Sequence, residues 1–179
     1  PRTLEFTSDR IGFQLYYRYQ VEGREIDEIK RIYLEKGSSL FHVRSSFRID
    51  GEPARLTVGV GLARQTPEAR VLRDPANRWM ALWETLPDGL GQLGQGMVFP
   101  EGTRVVEVLP DVSSGGFSHL LALVETDENG EVRYAAGYGW DQAPYFKDVR
   151  DWSTYLEAAG FPDIPGLHEP IRFRRHSED

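Results

Sequence analysis

The most concentrated cluster of aromatic and charged residues is Tyr138-Gly139-Trp140-Asp141, with Tyr145-Phe146-Lys147 just after it. Sugars offer C–H faces that pack on rings and hydroxyls that take hydrogen bonds, so this cluster reads as a glycan site. The same residues also have a structural reading, in which Tyr138 and Trp140 anchor a helix on a sheet while Asp141 caps a turn. Trp79 and Trp83 lie on one side of a short strand with Glu84 on the other, and read as a stacking platform or as core. His42, Arg44 and Arg48 share a face of residues 40–49, and His119 opens a later apolar strand. Arginine forks grip carboxylates and histidine exchanges protons, which suits a carboxylated sugar; a solvated outer face produces the same pattern.

The elements that must position these groups are mostly strands. Over residues 11–19 the odd positions Ile11, Phe13, Leu15, Tyr17 and Tyr19 alternate with polar ones, the period of a half-buried strand. A glycine turn at Gly23 leads into a charged, β-branched segment at 25–34, predicting a hairpin. Residues 40–49 place Phe41, Val43, Phe47 and Ile49 opposite the His42 face, and the Asp50-Gly51 turn predicts a second hairpin with residues 55–64 as its return strand. On that strand Thr57, Gly59, Gly61 and Ala63 leave room for something to lie against them. Residues 65–77 read as loop, 78–84 as a strand and the glycine-rich stretch 87–96 as irregular. Further strands are expected at 96–99, 103–109, 119–126, 132–139 and 171–175, with a hairpin turn at 127–130. The helical spacing of Val149, Trp152, Tyr155 and Leu156 predicts a helix over 148–159 that caps the sheet, and a frayed end is expected from His176. Many short strands with one peripheral helix predict an all-β antiparallel sandwich, with a β-barrel as the alternative.

A length of 179 residues suits one domain over 1–179, and 40% hydrophobic with 27% charged residues is ordinary for a folded core. A net charge of −7 disfavours general nucleic-acid binding. No apolar run approaches the ~18 residues of a membrane helix, and no leader is read at the start, so a soluble protein is expected. Without cysteine, disulfides, thiolate zinc sites and cysteine nucleophiles are excluded. GxSxG, phosphate-loop, HExxH and EF-hand signatures are missing, so no cofactor or metal is called for. Asp127, Glu128 and Asn129 are better explained by the turn than by calcium.

The runs Gln14-Leu15-Tyr16-Tyr17, Ile29 to Leu40, and Leu56-Thr57-Val58-Gly59-Val60-Gly61-Leu62 resemble the C-terminal half of the bacterial DUF4861 family. Tyr134 to Asp141, Phe146-Lys147-Asp148 and Asp151 to Leu156 resemble its closing motif. The resemblance implies a galactose-mutarotase-like or jelly-roll-like sandwich in periplasmic or secreted proteins of polysaccharide breakdown. The leading expectation is therefore a glycan-active enzyme, a lyase or hydrolase, on an acidic oligosaccharide or polysaccharide. Trp140, Tyr138 and Trp83 would stack the sugar, Arg44, Arg64 and Lys147 would hold a uronate carboxylate, and His119, His42 or Asp141 would move protons. A non-catalytic carbohydrate-binding module is the second expectation. The third is a pocket for a hydrophobic small molecule lined by Trp79, Trp83, Phe99 and Phe117.

Overall fold

Alternation in the first third of the chain folds as three long neighbouring strands. A computed structural model describes residues 1–74, 76, 78–114, 117–162 and 164–169; for 106–108, 110–114, 117, 165 and 168 it describes the backbone alone. The strand expected at 171–175, the frayed end from His176 and the side chain of Phe117 lie outside the described residues.

Strand β1 (Arg2–Phe6) pairs with β2 (Arg10–Val21), which turns through Glu22 and Gly23 into β3 (Arg24–Glu35). Both turn residues have positive φ, 51° and 77°, as a two-residue hairpin turn requires. β4 (Leu40–Ile49) follows and pairs with β3. After the Asp50-Gly51 turn the return strand is only β5 (Glu52–Pro53), because proline brings no N–H to the ladder. The expected second hairpin is thus cut short. The chain crosses instead to a second sheet as β6 (Thr57–Arg64), tied at the crossing by the Thr126 hydroxyl, which accepts from Leu56 N–H and donates to the Ala54 carbonyl, both at 2.9 Å.

β7 (Arg70–Arg73) arises within the expected loop, then come β8 (Trp79–Thr85), a 3-10 turn at Pro87–Gly89, and β9 (Gln92–Val98). The glycine-rich stretch is therefore strand from Gln92 onward. β10 (Val105–Ser114), β11 (Phe117–Glu125), β12 (Glu131–Trp140), helix α1 (Val149–Ala158) and the single turn α2 (Pro165–His168) follow and are the last elements among the described residues. The large sheet runs β1-β2-β3-β4-β12-β9-β8-β7, with β5 beside β4; the small one runs β10-β11-β6. The large sheet is open, and the fold is an all-β antiparallel sandwich, not a barrel.

Between the sheets Val43, Phe47, Met80, Leu82, Met97 and Val132 meet Leu62, Leu120, Ala122 and Val124. The opposite face of the large sheet is covered by the helical segments. Trp152 and Leu156 of α1 lie where Cβ atoms would stand on Gly94, Gly96 and Gly139, so these glycines make the slot for the helix. α1 is capped by Asp148, whose Oδ1 accepts from Arg150 and Asp151 N–H at 2.7 and 3.1 Å.

Candidate functional site

Strand register brings Tyr17, Tyr19, Glu28, Lys30, Ser45 and Tyr134 to one face of the large sheet, the face turned toward the small one. Tyr17 stands opposite Glu28, Lys30 opposite Ser45, and Ser45 opposite Val132. With the edge strand β6 as the facing wall, Tyr19, Glu28, Lys30, Ser45 and Tyr134 line a groove of about 410 Å³. Tyr19 donates its hydroxyl to Glu28 Oε2 at 2.6 Å, and Lys30 Nζ lies 3.4 Å from Glu28 Oε1. The ammonium also sits 5.4 Å from the Tyr17 ring, which stacks on Tyr19 at 6.2 Å between centroids. Glu28 is only 3% exposed, and Ser45, 2% exposed, has its hydroxyl buried with no protein partner.

The electrostatics follow from burial. Desolvation, then the hydrogen bond to Glu28, holds the Tyr19 hydroxyl well above the ordinary tyrosine value. Burial also raises Tyr134, with Lys30 opposing the shift. For Lys30, burial acts to lower the pKa, but Tyr134, Glu28 and Tyr17 outweigh it and the net shift is upward. At neutral pH the groove therefore presents a charged Lys30 ammonium and the protonated phenols of Tyr19 and Tyr134.

The residues singled out from sequence do not converge on one site. Tyr138 and Trp140 stand on the groove face farther along β12, 58% and 43% exposed, and Trp140 Nε1 donates to the Leu90 carbonyl at 2.8 Å. Asp141 follows at the strand end, its backbone N–H bonded to Gln92 O and its Oδ1 accepting from Gln142 Nε2. Trp83 is on the opposite face, 6% exposed, with Nε1 donating to Gln92 Oε1. His42 is buried on that same far face against Phe161. Arg44, also there, makes a two-pronged pair with Glu131 and donates to the carbonyls of Leu167 and Glu169, so its donors are occupied within the protein. Arg64 ends β6 and donates to the Pro67 carbonyl. Lys147 is exposed beside α1, where its N–H donates to Asp151. His119 lies on the outer face of the small sheet, since Leu120, Ala122 and Val124 of alternate parity fill the core. The clearing at Gly61 is filled by the Leu121 side chain. Trp79 and Trp83 pack under α1 whereas Phe99 is between the sheets, so these three share no cavity. Among the described residues no group of three metal-ligating side chains forms, and no helix is long and apolar enough to cross a membrane.

Residues 3–160 match the family described as a domain of unknown function, DUF4861. The chain belongs to that family. A relative in Formosa agariphila described as "Uncharacterized protein P7" is 26% identical over 149 residues, 83% of this chain and 36% of that protein. This DUF4861 chain thus spans little more than a third of that relative's length. No solved structure matches it.

Sequence reasoning missed Glu28, Lys30 and Tyr19. Tyr19 read as core, and residues 25–34 were only a charged strand. A signal was present: Glu28 and Lys30 interrupt the apolar face that Ile26 and Ile32 share. Two opposite charges on a face that should be core mark a polar site.

Proposed function

We propose that this DUF4861 chain is a glycan-active protein that binds an acidic oligosaccharide in the inter-sheet groove and cleaves it by β-elimination. The observation that carries the reading is the Tyr19–Glu28–Lys30 chain of contacts in an aromatic-lined groove. Stacked tyrosines supply ring faces for a sugar, and the lysine ammonium pairs with a uronate carboxylate, which makes the adjacent C5 proton acidic. Lys30 turns from Glu28 toward the substrate carboxylate and leaves Glu28 facing the sugar ring. Glu28 then takes the C5 proton, the C4–O bond breaks as C4=C5 forms, and Tyr19 protonates the departing oxygen. The proton on Glu28 passes back to Tyr19 along their hydrogen bond and resets the site.

A two-carboxylate hydrolase is less well supported. Among the described residues Glu28 is the only carboxylate lining the groove and the pocket that adjoins it. The other buried acid of that face, Glu84 on β8, is four strands from β3, roughly 19 Å along the sheet at about 4.8 Å per strand. Glycosidase pairs stand about 5–9.5 Å apart.

The test is ultraviolet detection of the unsaturated uronate formed from polyuronates. Lys30→Met and Glu28→Gln are expected to lower turnover about 10²–10⁴-fold, and Tyr19→Phe to lower kcat with binding kept. Unchanged turnover in Lys30→Met and Glu28→Gln removes the assignment, and saturated products alone turn the reading to a hydrolase. Binding with no product leaves a carbohydrate-binding module.

A further inference from the structure

The groove continues past Tyr134. A second pocket, about 540 Å³, adjoins it and is lined by Phe41, Leu93, Gln95 and Tyr138. Lys30, Gly59, Val60 and Tyr134 border both pockets, so the two make one trough along the edge of β6. Val132 in the first pocket and Tyr138 in the second are six positions apart on β12, roughly 20 Å at about 3.3 Å per residue. Both ends reach solvent: Val21 is 49% exposed at one, Tyr138 is 58% exposed at the other. Trp140 stands two residues beyond Tyr138 on the same face with its indole N–H committed to Leu90, which leaves an exposed apolar ring. A protein that held only a chain end needs a wall across the trough, and among the described residues these exposed ends supply none.

Resting on the reading of the groove as a glycan site, we infer that the trough takes an internal stretch of a polyuronate chain. Glu28 and Lys30 engage one uronate, and Tyr138 with Trp140 forms a distal stacking subsite several sugar units away. Lys30, standing at the border of the two pockets, divides the chain-binding surface into an aromatic-acid side and an aromatic-amide side.

Binding of galacturonate, mannuronate and glucuronate oligomers of increasing length decides this, alongside the size distribution of any products. Affinity is expected to rise with length for at least one series until the trough is filled. Tyr138→Ala, at an exposed position that folding tolerates, is expected to weaken the longest chains about tenfold and leave the shortest unchanged. Products, where formed, are expected to be mixed internal fragments from the first turnover. Affinity that is flat with length, a length gain that survives Tyr138→Ala, or release of a single terminal unit overturns the inference. Length-dependent binding without an unsaturated product leaves it standing and removes only the lyase chemistry. No binding of any series removes both.

Discussion

His42 and Arg44 stand two residues apart on β4 and meet burial in opposite ways. Arg44 is enclosed by Glu131 and main-chain carbonyls that accept its hydrogen bonds, and its cross-strand neighbour Arg31 likewise donates to the carbonyls of Gly166 and Glu169. His42 has no such cage: its Nδ1 is buried with no partner, and burial pulls its pKa down from 6.5, with Glu35 opposing weakly. In the unfolded chain the imidazole takes its proton first, so the stability associated with a neutral His42 is fully present above pH 6.5 and is lost as pH falls through the lower folded value. The melting temperature is therefore expected to decline below pH 6.5, and His42→Leu to decline less over the same interval. Parallel pH profiles for the two proteins would place the acid sensitivity elsewhere. Alternation alone could not separate a solvated His42 face from a covered one, because the covering groups come from Phe161, Leu167 and Glu169, more than a hundred positions away.

At the scale of elements, the glycines of β9 and β12 explain why 87–96 was not legible as strand. Glycine is a turn signal in sequence, but Gly94, Gly96 and Gly139 are strand residues whose missing side chains admit Trp152 and Leu156. A Cβ on Gly94 would stand 2.7 Å from Trp152 Cδ1, so Gly94→Ala must lift the helix or distort the strand. A loss of about 1–3 kcal/mol in urea unfolding is expected, against little change for Gly160→Ala, where nothing lies within 4 Å. Equal stabilities would mean that α1 is not seated in that slot. The helix itself was legible, since the spacing of Trp152 and Leu156 is local; its docking partner was not. The two-residue turns at Gly23 and Gly51 were legible for the same reason, whereas the fate of the chain after Pro53 depends on a remote threonine.

Over the whole molecule, the net charge of −7 opposes the approach of an anionic polymer even where the groove attracts it locally. The association rate of a polyuronate is accordingly expected to rise as salt is first added, toward the roughly 10 Å screening length of about 0.1 M. A stopped-flow rate that falls with salt would show that the field of Lys30 governs the encounter. The sandwich was legible from period-two alternation and turn spacing, because each is a property of neighbouring residues. The groove was not, because it exists only where β3, β4 and β12 come under the edge of β6, and that order is set by which strands pair.

Phe47, Val132 and Tyr134 belong both to the buried contact between the sheets and to the lining of the groove. The width of the groove is thus the spacing of the two sheets, held by the same side chains that make the fold stable. The groove is adjusted from underneath: a methyl group gained or lost in the core moves its wall, so the stability of the fold and the shape of the groove vary together.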